Sequence, residues 1–186
     1  MPSPRCHLAG VAAQDSIFAI GGRENPLAVE RYDPAQDRWT RLEPLVAPKP
    51  NPFAASVAGR VFVLGGVEAG KENYALCEEY DPAAGRWTRR APMPTPRTDI
   101  AVATHQGIVY VMAGWTAGHL TGRVECFDPA TDCWSDYAPL ARPRSFAGAA
   151  AALDRIWLVS GSVYQADKSL APVDDVEVTT PPVRKG

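Results

Sequence analysis

Four short apolar runs punctuate the chain at near-constant intervals: SIFAI (16–20), VFVLG (61–65), IVYVM (108–112) and IWLVS (156–160). Each is rich in β-branched or aromatic residues and shows little polar alternation, the pattern of a strand buried on both faces. Runs of small residues precede three of them: AASVA (54–58), IAVAT (100–104) and AGAAAA (147–152). Between the two kinds of run, Gln14-Asp15, Gly59-Arg60, Gln106-Gly107 and Asp154-Arg155 predict hairpin turns.

A small pair closes each apolar run: Gly21-Gly22, Gly65-Gly66, Ala113-Gly114 and Ser160-Gly161. Third strands are predicted at VERYDP (29–34), CEEYDP (77–82) and VECFDP (124–129), each ended by a proline that cannot donate to a ladder. Fourth strands are predicted at WTRLEP (39–44), WTRRAP (87–92) and WSDYAP (134–139). Tyr32, Tyr80 and Phe127 are expected beside Trp39, Trp87 and Trp134, whose indoles are large enough to bridge to a neighbouring sheet. The tryptophans recur at spacings of 48 and 47. A four-stranded unit repeated at that period is a β-propeller blade. VEVTTP (176–181) aligns as a decayed fourth copy with no tryptophan after it. The chain is therefore read as all-β, an incomplete propeller of three full four-stranded blades and a partial fourth. The blades are placed at 1–48, 49–96, 97–143 and 144–181, with a tail over 182–186 that has no strand character.

Composition narrows the function. A net charge of −2 over 186 residues lacks the basic stripe of a nucleic-acid binder. No apolar stretch is long enough to span a bilayer, and no signal-peptide pattern opens the chain. A cytoplasmic protein is expected. Cys6, Cys77, Cys126 and Cys133 form no C-x-x-C pair and are read as free thiols, with Cys77 in a slot that Val29 and Val124 also fill. No nucleophile motif or P-loop occurs. Asp33, Asp81 and Asp128 recur in every full copy and are expected to cap turns. No catalytic residue, metal ligand or cofactor is expected.

Taken together, the landmarks resemble the kelch-repeat family: a double glycine, Glu-x-Tyr-Asp-Pro, a spaced tryptophan and a Pro-Arg junction. The junctions are Pro4-Arg5, Pro96-Arg97 and Pro143-Arg144, with Pro48-Lys49 as a variant, each base lying 16 residues before its small pair. Departures are Ala113 and Ser160 at the first glycine slot, and the lost aromatic and Asp in the fourth copy. The resemblance implies a framework of Gly21, Gly22, Tyr32, Trp39, Gly65, Gly66, Tyr80, Trp87, Gly114, Phe127, Trp134 and Gly161. It implies a partner-binding rim built from loops near 23–28, 67–75, 115–122 and 162–174. Two sets of positions commonly face such a rim: Arg23, Val67, Trp115 and Ser162 after the small pairs, and His7, Asn51, Asp99 and Phe146 after the junctions. Arg23 would fork onto a carboxylate or phosphate of a partner, or stay a solvated loop residue, and Trp115 would serve as an aromatic anchor, or pack under its own loop.

The spacing of Tyr-Asp-Pro to Trp is most similar to kelch-like adaptors, whose separate BTB and BACK domains recruit a cullin-3 ubiquitin ligase while the propeller captures a protein substrate. Neither domain is in this chain, so cullin-3 would be reached only through a longer parent. Other kelch roles are an actin or cytoskeletal scaffold, a bacterial protein of unknown ligand, and an enzyme such as a sugar-acid isomerase. A copper oxidase of the galactose-oxidase type is disfavoured, because only His7, His105 and His119 occur and His105 is expected in a turn away from the rim. Met1 aligns with Met93 at a blade junction, so a piece of a longer protein is expected. A short protein that self-associates to close its ring is the alternative.

Overall fold

The computed structural model describes residues 1–67 and 74–181, and every element among them is a strand. The chain divides into two compact units, Met1–Thr98 and Asp99–Gly186. The predicted tail at 182–186 and most of the 67–75 loop lie outside the described residues.

The first unit holds two antiparallel sheets. One is β1 (Ala9–Ala13), β2 (Ser16–Ile20), β3 (Val29–Asp33) and β4 (Arg38–Arg41), and the other is β5 (Phe53–Val57), β6 (Arg60–Leu64), β7 (Cys77–Asp81) and β8 (Arg86–Arg90), each paired in sequence order. In the second unit, β9 (Ala101–His105) and β10 (Ile108–Met112) lead into a small hairpin, β11 (Trp115–Thr116) and β12 (His119–Leu120). β13 (Val124–Asp128) and β14 (Cys133–Tyr137) complete that blade. The last blade pairs β15 (Gly148–Ala152), β16 (Arg155–Val159) and β19 (Val176–Thr179), and carries a second small hairpin, β17 (Ser162–Tyr164) and β18 (Leu170–Pro172). The four sheets match the predicted propeller blades, three of four strands and one of three.

Several strand limits differ from expectation by one residue. The turn centres of two hairpins are Ala58-Gly59 and Leu153-Asp154 rather than Gly59-Arg60 and Asp154-Arg155. All four turns hold both central residues at positive φ, between 48° and 77°, which matches the right-handed twist of the strands they join. Turn geometry outranks residue preference there, since Ala58 and Leu153 are poor residues for that conformation. The third strands end at Asp33, Asp81 and Asp128, before the prolines. Each of these Asp side chains accepts backbone amides of its turn, Ala35, Ala83 and Ala130 at 2.9 Å. His105 lies in β9, opposite Ile108, and not in a turn.

The small pair is explained by its backbone. The first position has φ near 60° in Gly21, Gly65, Ala113 and Ser160, a left-handed conformation that Ala and Ser can occupy under strain. The second has φ between 106° and 110° in Gly22, Gly66, Gly114 and Gly161, which only glycine adopts freely. A Cβ on Gly22 would also stand 2.8 Å from the Cys6 carbonyl oxygen.

The aromatic pairs form as expected. Tyr32–Trp39, Tyr80–Trp87 and Phe127–Trp134 are direct cross-strand neighbours with ring centroids 5.1, 5.1 and 5.0 Å apart. Trp87 bridges to the preceding blade by donating its indole N–H to the Glu43 carbonyl at 2.9 Å. Phe18 meets Tyr80 edge-on at 6.0 Å, so the first two blades share one core with Ile20, Val29, Val61 and Val63. In the second unit Ala101, Ala103, Tyr110 and Met112 pack with Ile156 and Leu158. The last blade departs from the reading of strands buried on both faces: Ile156 and Leu158 are buried, but Val159 is exposed.

Candidate functional site

The junction bases turn inward and hold the loops. Arg5 is buried, and its guanidinium donates to the Ala19 and Gly21 carbonyls at 2.9 and 2.6 Å and to Glu30 at 2.8 Å. Arg144 repeats this, donating to the Ser160 carbonyl at 3.0 Å and pairing with Asp175 and Glu177. Lys49 reaches Glu78 at 3.9 Å, and Glu78 in turn accepts the Val46 and Ala47 amides at 3.1 Å. In the first two blades the third-strand glutamate, Glu30 or Glu78, is therefore the buried partner of the junction base, and the half-buried Glu177 takes the same place in the last blade. Sequence reading found the base and the glutamate separately and missed the pairing, because the two lie 25 to 33 residues apart in the chain, with the first two strands of the blade between them. Burial pushes the Glu30 carboxyl up, and hydrogen bonds from Arg5 and Ser3 outweigh it, leaving the group below the ordinary carboxylate value. Asp175 is held low chiefly by its hydrogen bond from Arg144.

With the bases fixed, the following residues project outward on strained backbone. His7, Asp99 and Phe146 have φ of 54°, 53° and 55°. Non-glycine residues in that region cost energy and persist where the surroundings enforce them, often at functional surfaces. In the first unit, the Arg23 amide donates to the Cys6 carbonyl at 3.0 Å, bringing Arg23 beside His7. Both are exposed. Asn51 donates to the Thr98 hydroxyl at 3.2 Å, and Val67 is half-buried. Cys6 sits 3.0 Å from His7 Nδ1, but its thiol donates to Glu24 at 3.3 Å, and that carboxylate pushes the thiol up. The contact does not build a thiolate nucleophile.

The second unit gathers its four expected rim residues. The Phe146 amide donates to the Asp99 carbonyl at 3.0 Å, and Ser145 and Ser162 exchange backbone bonds of 3.0 and 2.8 Å. Phe146 stands 66% exposed, an unusual state for a phenylalanine on a rigid turn. Trp115 is half-buried and packs against Tyr164 with ring centroids 6.0 Å apart. Beside this pair the two small hairpins and the junction enclose an open cavity of about 270 Å³, lined by His119, Leu120, Arg142, Pro143, Val163 and Tyr164. Leu120 and Val163 form a buried apolar floor, and His119 and Arg142 are exposed at its edge. Arg142 also reaches Asp175 at 3.3 Å.

None of the six cavity residues was singled out as a rim contact, although His119, Leu120, Val163 and Tyr164 lie in the expected rim loops and Pro143 in a predicted junction. Four of them sit on the two small hairpins, in stretches expected as rim loops without strands, and the local signal was Ala117-Gly118, whose positive φ values of 46° and 83° make the first hairpin turn. Among the described residues no group of three or more metal-ligating side chains converges. Burial raises the Cys126 thiol to about 12. The arrangement suits recognition of a polypeptide: an apolar floor, exposed aromatics, and a few polar groups on loops fixed by a rigid frame.

Comparison with known proteins agrees with this architecture. The Kelch motif matches residues 4–46, 48–94 and 96–141. Alpha-scruin of Limulus polyphemus is 33% identical over 181 residues, covering 95% of this chain and 15% of that protein. Human Kelch-like protein 35 is 38% identical over 60 residues, 31% of this chain and 10% of that protein. The chain thus spans a small part of these relatives. Among solved structures, that of YjhT superposes with a TM-score of 0.79 over 97% of this chain and 67% of the other, at 18% identity, a likeness of fold.

Proposed function

Since the chain belongs to the kelch-repeat family, we propose that it is a protein-interaction module that captures a polypeptide on the loop surface of its second unit. The carrying observation is the Trp115–Tyr164 pair beside the cavity floored by Leu120 and Val163, together with the exposed Phe146 on the adjoining junction. Exposed aromatics on an enforced backbone lose little entropy on binding and dominate interface energies. The module has no need of catalysis: the recurrent Asp carboxylates are occupied by turn amides, and the Cys6 thiol is pushed up by its neighbour.

Within that reading, the chain serves as the substrate-recognition propeller of a kelch-like adaptor acting in the cytoplasm, with cullin-3 reached through domains outside this chain. The support is similarity to Kelch-like proteins 35 and 36. A peptide selected from a displayed library by the unmodified chain should bind W115A and F146A roughly tenfold more weakly, with both variants still folded and the unfolding temperature of F146A unchanged. Equal binding overturns the surface assignment. Expressed in cells, the chain should compete for the same partner and slow its turnover; unaltered turnover removes the adaptor role and leaves the binding module.

A further inference from the structure

The cavity between the two small hairpins lies wholly within the second unit and joins an apolar floor to a cationic edge. Leu120 and Val163 are buried in its floor, and Pro143 and Tyr164 complete the apolar lining. The polar lining is His119 and Arg142. None of its described lining residues is acidic, although the whole chain carries a net charge of −2.

The Arg142 guanidinium is only partly engaged. Its Nη1 donates to Asp175 Oδ2 at 3.3 Å, and the same oxygen accepts Nη2 of the buried Arg144 at 3.3 Å. Asp175 Oδ1 also accepts from Arg144. Glu177 accepts the Ala141 amide at 2.7 Å with one oxygen and approaches Arg144 at 3.5 Å with the other. Two carboxylates are thus committed chiefly to Arg144. Asp175 holds Arg142 in place by one nitrogen, and its Nε and Nη2 make no hydrogen bond among the described contacts. Those two donors form the side of the guanidinium that takes a carboxylate in a bidentate grip.

We propose that the cavity binds the carboxyl-terminal residue of a partner polypeptide. The terminal apolar side chain rests on Leu120 and Val163, and the α-carboxylate takes the Nε–Nη2 edge of Arg142. This rests on capture of a polypeptide by the loop surface and names the part of the partner that is recognised. Two arguments select a chain end over an internal segment. At about 270 Å³ the cavity lies below the range of roughly 300–1,000 Å³ that whole small ligands occupy, so a single residue fills it. In an extended chain, moreover, successive side chains point to opposite faces. An internal apolar residue therefore cannot bring the acidic side chain of its neighbour into the same cavity. At a carboxyl terminus the apolar side chain and the carboxylate stem from one Cα. Capture of chain ends is a recurring mode of peptide recognition.

The test is selection by the 186-residue chain from two peptide libraries, one displayed with free carboxyl ends and one tethered at both ends. The free-end library should yield peptides ending in Leu, Ile, Val or Phe. Amidating the terminal carboxylate of such a peptide should weaken its binding roughly tenfold, since a hydrogen bond to a charged group is lost. R142Q should bind acid and amide alike, and R142K, which keeps the charge without the fork, should restore part of the difference. Amidation needs no variant, so the test stands whether or not R142Q folds. Equal binding of acid and amide by the unmodified chain overturns the proposal, as does a difference that survives in folded R142Q. Peptides recovered from the tethered library alone overturn it and leave polypeptide capture standing, whereas peptides from neither library overturn both. Acetyl-leucine binding as tightly as the selected peptide would assign the cavity to small carboxylic acids and overturn it as well.

Discussion

At Lys49 the repeat uses a lysine where the other junctions have arginine. Arg5 and Arg144 satisfy main-chain carbonyls with their forked donors, while the buried Lys49 Nζ has no hydrogen-bond partner among the described residues and only a 3.9 Å approach to Glu78. Burial pushes its amine below the ordinary value, against the pull of Glu78. A lysine lowered in this way costs stability below its folded pKa. The cost fades as pH rises toward the ordinary lysine value of about 10.4, because only the unfolded chain still holds the proton. K49R should therefore raise stability by about 1 kcal/mol at neutral pH and remove that alkaline gain. Denaturant titration at neutral and alkaline pH checks both. The carboxylates act in the opposite range. Glu30 and Asp175 have lowered folded pKa values, so their contribution is complete above the ordinary carboxylate value of about 4 and is lost as pH falls through the lower folded values. E30Q should flatten part of that acid-side loss, read from unfolding midpoints across the same window. Glycine slots separate by φ: G22A should cost about 1–3 kcal/mol from strain alone, whereas A113G should stay within about 1 kcal/mol, relief of strain offsetting a lost buried methyl.

At the scale of the strands, hairpin turns and cross-strand pairs fix the register of each blade. The Leu153-Asp154 turn has φ of 53° and 56°, and Leu153 is 85% exposed, so nothing in packing explains the leucine. Replacing the pair by Asn-Gly should stabilise by about 1 kcal/mol, measured as a shift in thermal midpoint. Trp87 donates to the Glu43 carbonyl and is buried, while Trp39 is half-buried with no such bridge among the described contacts. W87F should then cost about 1 kcal/mol more than W39F. Strands were legible because apolar runs, small pairs and tryptophans repeat, and each repeat corrects the reading of the others. The β11–β12 and β17–β18 hairpins were not legible, since they occupy the loops in which the copies diverge.

For the whole molecule, the framework was readable, and the surface proposed here for recognition was readable only in part. Trp115 and Phe146 emerged from their offsets to the small pair and the junction. His119, Leu120, Arg142, Val163 and Tyr164 did not, because a cavity forms where segments distant in sequence meet, and no spacing rule encodes that meeting.

The loop surface of the second unit, with Trp115, Tyr164 and Phe146, is the proposed seat of the bound polypeptide. Hydrogen exchange on the chain with its selected peptide tests this most directly. Protection gained over residues 115–122, 145–147 and 162–172 is the predicted result. Protection gained instead at the opposite hairpin turns, 14–15, 106–107 and 153–154, would contradict it.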